Sequence, residues 1–327
     1  MKIFQAWRFG AIAATLVAAV SSTALAQSPF PNRPVKLIVP FSTGTGSDAI
    51  ARIMANDMAA GLGQSIVVEN RGGAGGIMGT EQVARSPADG YTLVMGTTST
   101  LIANPALNPT VKYDVEKDLA PVVGLGRTYF AVVTANKPDA PKTLDELLSR
   151  LRSSGGTFAS SGVGTITHLA SEALVLRAKV KATHVPYKGS GQGLTDVAAG
   201  HTLFASDTLA ATLPLIRSGL LRVLAVSSAE RLPALRDVPT VAETPGLNGF
   251  LVDSWWGLMA PAGTPPEAIR KLADVAIASL ASADTKSRFA ALELEALPLA
   301  GEQFGLFVRK QRPFWVDFIK QANIKLE

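Results

Sequence analysis

The sequence predicts an α/β protein of two domains with a ligand cleft between them. Three observations carry this. Short apolar runs alternate with helical stretches of about 10–15 residues, the pattern of a mostly parallel sheet covered by helices. Setting aside an N-terminal leader leaves about 300 residues, which suits two domains of ordinary size. Two apolar strands, residues 130–135 and 255–260, bracket a middle block that has its own strand–helix alternation.

Residues 1–26 read as a signal peptide. Lys2 and Arg8 make a positive start, residues 11–20 are apolar, and Ala24-Leu25-Ala26 offers small residues where a signal peptidase reads. Cleavage is expected after Ala26, giving a periplasmic protein. The apolar run is too short to span a bilayer, and no Cys follows it to carry a lipid. The chain has no Cys at all, which excludes thiol, Fe–S and Cys-zinc chemistry. The formal charge of +5 falls to +3 without Lys2 and Arg8 (5 − 2). That mild bias, with no basic run, fits a small organic anion better than nucleic acid.

In order, residues 35–40 form a strand, 42–47 a Gly-rich turn, and 49–60 a helix that Asp48 is placed to cap. Strand 65–69 leads to a glycine-rich loop, 71–79, and a helix around 80–85. Residues 92–96 are the third strand, with Thr97 just past it. Strand 130–135 is followed by helix 142–152, with Thr143 and Glu146 in capping-box spacing. A second strand–turn–helix unit runs 157–160, 161–167 and 168–178. Strand 182–186, helix 193–199 and strands 203–206 and 223–227 come next. After strand 255–260, helices 266–280, 283–292 and 301–321 end the chain. The simplest partition is a first domain of residues 27–127 plus 253–327 and a second of 128–252, hinged at two crossing strands. This is the layout of type II periplasmic binding proteins, the Venus-flytrap fold, with ligand in the interdomain cleft.

Two segments stand out chemically. Phe41-Ser42-Thr43-Gly44-Thr45-Gly46-Ser47-Asp48 lies at the carboxyl end of the first strand, where open α/β sheets bind ligands. Small residues let backbone N–H groups approach an anion, and the helix N-terminus adds about half a positive charge. Ser160-Ser161-Gly162-Val163-Gly164-Thr165-Ile166-Thr167-His168 repeats that logic in the middle block. Thr165→Val is expected to weaken ligand binding with little loss of stability. Tyr187, Lys188 and Gly189 form a weaker third segment, and Asp207 either faces the cleft or caps a turn. His168 caps or orients its turn, whereas His184 and His201 read as structural. Trp255 and Trp256 read as hinge or core packing. The loop Asn70-Arg71-Gly72-Gly73-Ala74-Gly75-Gly76 lacks Rossmann spacing and reads as structural. No metal motif, P-loop or G-x-S-x-G elbow occurs. The chain is therefore read as a non-enzyme without cofactor or metal, and as a monomer. A serine-type hydrolase built on a Ser and His168 would need a base held by a third group, and the sequence offers none.

The strings 33–41, 67–71 with Gly72–Gly76, 89–93, Ser160-Ser161-Gly162, 184–189, 237–240 and 261–265 occur in order along the chain. Together they resemble the Bug-type receptors of tripartite tricarboxylate transporters. The resemblance implies a Venus-flytrap receptor for carboxylates, amino acids, di- and tricarboxylates or aromatic acids. Such receptors serve membrane transporter subunits, or signal through a sensor kinase instead. It also implies ligand loops at Phe41–Asp48 and Ser160–His168, binding through backbone groups and waters. The first loop departs from the family's Pro-Gly-Gly, having Ser42-Thr43-Gly44-Thr45-Gly46 instead.

Overall fold

The computed structural model describes residues 30–321; the leader expected over residues 1–26, and its cleavage after Ala26, lie outside them. The chain begins with β1 (Val35–Val39), α1 (Gly46–Leu62), β2 (Ile66–Asn70), α2 (Ile77–Ala84) and β3 (Thr92–Thr97). Short helices α3 (Asn104–Leu107) and α4 (Val115–Asp118) lead to the long strand β4 (Leu119–Ala135). The middle block holds α5 (Leu144–Ser154), β5 (Thr157–Ser160), α6 (Ile166–Arg177), β6 (Thr183–Pro186) and α7 (Ser190–Ala199). It continues with β7 (Phe204–Thr208), α8 (Leu209–Arg217) and β8 (Leu221–Val226). Strand β9 (Asp253–Pro261) brings the chain back, followed by α9 (Pro266–Ala281), α10 (Ala283–Ala291), β10 (Glu295–Ala296) and α11 (Gly301–Gln321).

The strands follow the order β2-β1-β3-β9-β4-β7-β5-β6, with β8 and β10 also paired to β4. β1 lies parallel between β2 and β3, and β5 parallel between β6 and β7. β9 and β4 are antiparallel to their neighbours. The expected parallel sheet is thus two parallel halves joined by two antiparallel strands. β4 serves both: residues 119–129 pair with β9, and 130–135 with β7 and β8. Ser227 fastens the two chain crossings. Its hydroxyl accepts from Phe130 N at 2.8 Å and donates to Val252 O.

Both faces of each half-sheet are covered at its centre, so inner strands such as β1 and β3 are apolar throughout rather than alternating, while the edge strands β2 and β6 are partly exposed. Leu37 and Val39 pack with Met54, Met58 and Trp256, while Ile38 and Val94 face the other cluster with Trp255 and Phe304. Trp255 meets the Phe304 ring edge-on, centroids 5.7 Å apart. Helix α5 shows how the sequence fixes a surface helix. Leu144, Leu147, Leu148 and Leu151 form its buried stripe. Thr143 caps it by accepting from Glu146 N at 3.1 Å.

Besides the short α3, α4 and β10, sequence pattern misses the first half of β4 and all of α8. The first half of β4 contains Pro121, Gly124 and Gly126, residues poorly suited to strands. The register shifts at Pro121/Val123 and Gly124/Gly126 accommodate them. Helix α8 carries Pro214 inside it, a residue that argues against helix from sequence.

Candidate functional site

The two strand–turn–helix units turn out to be the same construction made twice. Thr45 is the N-cap of α1 and Thr165 the N-cap of α6. Each Thr hydroxyl accepts from the backbone N–H three residues on and donates to a carbonyl three residues back, Ser42 O and Gly162 O. Before each cap stands a glycine with positive φ, Gly44 at +79° and Gly164 at +74°, a conformation other residues adopt only with strain. Each glycine N–H is held by the side chain four residues on. Gly44 N donates to Asp48 Oδ2 at 3.1 Å, and Gly164 N to His168 Nδ1 at 3.2 Å.

This corrects the expected cap of α1, which is Thr45 and not Asp48. Asp48 lies behind its loop, where it also accepts from Asn70 Nδ2 at 3.0 Å and pairs with Arg52 at 2.9 Å. Burial works against its charge, but Arg52, Gly44 N–H and Asn70 together hold its carboxyl below the usual range. His168 backs the second loop in the same manner. It stacks on His184, centroids 3.9 Å apart, and Phe158 stacks on His184 in turn. Burial, and then His168, push His184 down to about 3.

The loops face each other across a small inner cavity of about 30 Å³. At roughly 10–15 Å³ per water, that is room for two or three waters, so the walls must part to admit a carboxylate. Contacts across the cleft hold it closed. Ser42 Oγ donates to Lys188 O at 2.8 Å, and Ile166 N donates to Ser99 Oγ at 2.8 Å. The first residues of α1, α6 and α7, and Thr208, the N-cap of α8, all line the cavity. The helix dipoles make it electropositive without a cationic side chain. No Lys or Arg lines it, and Asp207 is its one ionisable residue. Outside lies a wider recess of about 1110 Å³.

The residues expected at the site divide three ways. Phe41, Thr97, Ser161 and Asp207 line the inner cavity. Ser42, Thr43, Gly162, Tyr187 and Lys188 line the outer recess, into which Phe41 and Ser161 also reach. Gly189 packs against Ser42, with a Cβ there falling 3.0 Å from the Ser42 Cβ. Gly44, Asp48, Ser160, Thr165 and His168 lie outside both linings and support the loops. Ser160 Oγ hydrogen-bonds His184 Nε2 at 2.6 Å and bridges Gly162. That Ser–His pair lines neither cavity, and a histidine held near 3 is a poor base. The glycine loop packs closely, as expected: a Cβ on Gly76 would lie 2.7 Å from Thr100, and one on Gly75 2.9 Å from Val163 O across the cleft.

Ser47 and Thr167, within the expected loops, also line the inner wall, and sequence reasoning missed Ser99, Thr208 and Trp256 there. The available signal was a small hydroxyl residue opening a helix just after a strand. Trp256, expected as packing, also donates its indole N–H to Ser47 Oγ at 2.8 Å.

Known proteins share this fold. The profile of the tripartite tricarboxylate transporter family receptor matches residues 50–324. Protein BugT of Bordetella pertussis is 35% identical over 301 residues, covering 91% of this chain and 92% of BugT. Among solved structures, Rpa4515 of R. palustris, determined with adipate, superposes with a TM-score of 0.86 at 32% identity, covering 90% of this chain and 99% of that one. MatC of Rhodopseudomonas palustris, with bound malate, gives 0.81 at 33% identity, covering 89% and 100%. The similar proteins cover nearly the whole described chain. The chain belongs to the tripartite tricarboxylate transporter receptor family, with its periplasmic-binding-protein fold.

Proposed function

We propose that this protein is a periplasmic receptor that captures a small organic carboxylate in the inner cavity and delivers it to the membrane subunits of a tripartite transporter. One observation carries the reading. Four helix N-termini and a ring of Ser and Thr hydroxyls converge on one buried point with no cationic side chain beside it. Hydrogen bonds to a charged group contribute about 1.5–3 kcal/mol each, and desolvating a carboxylate costs several kcal/mol. Three or four such donors suffice. The adipate and malate seen in its relatives support the class of ligand.

The mature chain begins after Ala26 and works as a monomer that carries out no reaction. Domain one comprises residues 27–127 plus 253–327 and domain two 128–252. The change of pairing partners within β4, and the tie through Ser227, support hinges at those crossings. Ligand closes the domains, with Ser42, Tyr187 and Lys188 at the rim. The test is a thermal-shift screen of organic acids on refolded, ligand-free protein. A tight-binding acid stabilises by RT ln(1 + [L]/Kd), about 2.7 kcal/mol at a hundredfold excess over Kd. Stabilisation by sugars or cations, with none by acids, refutes the reading.

A further inference from the structure

Asp207 is an odd residue to find where a carboxylate is to bind. It lies on β7 opposite Ala131 of β4 and is 3% exposed. Its Oδ1 accepts from Thr208 N at 2.7 Å and from Thr208 Oγ1 at 3.4 Å, so both bonds fall on one oxygen. The Ser190 hydroxyl lies beside it. No cation answers its charge. On the surrounding elements, Asp48 and Arg52 of α1 pair with each other, His168 of α6 takes Gly164 N, and Asp196 of α7 takes Tyr187. Arg127 of β4 pairs with Glu295, Glu172 and Arg177 lie further along α6, and Lys188 is exposed at the rim. Burial pushes the Asp207 carboxyl up to about 6.

Two ionised carboxylates do not share a buried space without a cation between them. The inner cavity is too small to keep a bound carboxylate far from Asp207. We propose that Asp207 sets specificity by requiring a hydrogen-bond donor next to the ligand's carboxylate, so that α-hydroxy or α-amino acids are preferred over their unsubstituted analogues. The inference rests on the carboxylate reading above. A hydroxyl or ammonium on the α carbon satisfies Asp207 directly. An unsubstituted acid leaves it facing like charge and binds only by taking up a proton. Leaving a buried charged group unmatched costs enough to weaken binding by roughly tenfold or more.

The experiment is isothermal calorimetry on the ligand-free mature protein with matched acids, in two buffers of different ionisation enthalpy. The sets are succinate, malate and aspartate; glutarate, 2-hydroxyglutarate and glutamate; and phenylpropionate, phenyllactate and phenylalanine. In whichever set binds, the hydroxy or amino acid is expected to bind at least about tenfold tighter than its parent. Asp207→Asn, which keeps an acceptor but no charge, retains the hydroxy acid and loses the amino acid if ammonium is the donor recognised. Asp207→Leu removes the preference altogether, with a melting curve to establish that it folds. Equal affinity across a set overturns the inference, with or without proton uptake. Binding by no acid in these sets or in the wider thermal-shift screen overturns the carboxylate reading itself, and this inference with it.

Discussion

Gly46→Ala should weaken ligand binding without weakening the fold. Gly46 is the first residue of α1 and lies on the cleft wall. A Cβ added there falls 2.9 Å from Thr208 Oγ1 and 3.4 Å from the Ala210 Cβ, both at the start of α8 on the opposite wall. On its own side it meets Trp256 Cζ2 at 3.2 Å. The backbone is not left-handed, so alanine fits α1 without strain and favours helix by up to about 1 kcal/mol over glycine. The Thr208 contact is absent when the walls part, so the closed form alone bears it. Overpacking of this kind costs about 1–3 kcal/mol. At 1.4 kcal/mol per tenfold, the dissociation constant rises about 5- to 150-fold. Calorimetry with the acid that gives the largest thermal shift measures this, and small-angle scattering reads the loss of ligand-induced compaction. Gly61→Ala is the control. Its Cβ would meet Val275 at 2.8 Å on the exposed outer side of α1, where that helix packs on α9 and away from the cleft, so it lowers stability and leaves affinity alone. An unchanged affinity and unchanged compaction in Gly46→Ala would falsify the role of the α1–α8 contact in closure.

Other consequences follow from the same geometry. Thr165→Val, expected from sequence to spare stability, removes the cap of α6 and should cost about 0.5–2 kcal/mol, read as a drop in urea midpoint. His184 is held at about 3, below its unfolded value near 6.5. Its contribution is therefore full above pH 6.5 and is lost as pH falls toward 3. Partial exposure discounts the loss to about 2 kcal/mol. His184→Gln should flatten the fall in denaturant midpoint between pH 7 and pH 4.5, and an unaltered slope would put the acid sensitivity elsewhere. Asp207 works in the opposite sense. Its pKa is raised from 3.8 to about 6, so its ionisation destabilises the fold increasingly as pH rises from 4 to 6. At 1.36 kcal/mol per unit, Asp207→Asn should gain about 2–3 kcal/mol at pH 7. A melting temperature no higher than wild type at that pH counts against this account.

The sequence by itself determined the alternation of strands and helices, the positions of the longer helices apart from α8, and the two small-residue turns after β1 and β5. Those features are written in local pattern: a buried run of Val, Ile and Leu, a Leu stripe at helical spacing on α5, glycines where the chain must turn. The leader expected over residues 1–26 rests on local composition alone. The likeness to carboxylate receptors came from seven short strings and is matched by profile and fold comparisons.

Tertiary structure decided what each loop residue does. Thr45 and Asp48 are three positions apart and chemically alike as caps, and only the backbone geometry makes Thr45 the cap and Asp48 the strut. Thr165 and Thr167 sit in the same turn, yet one is sealed behind it and the other lines the cavity. Asp207 was left open between turn and cleft because a strand's period says which faces alternate, not which domain stands opposite. The inner cavity draws residues from β3, β9 and the starts of four helices scattered over most of the chain. Such convergence depends on how β4 and β9 cross between the halves, a long-range pairing that no local pattern encodes.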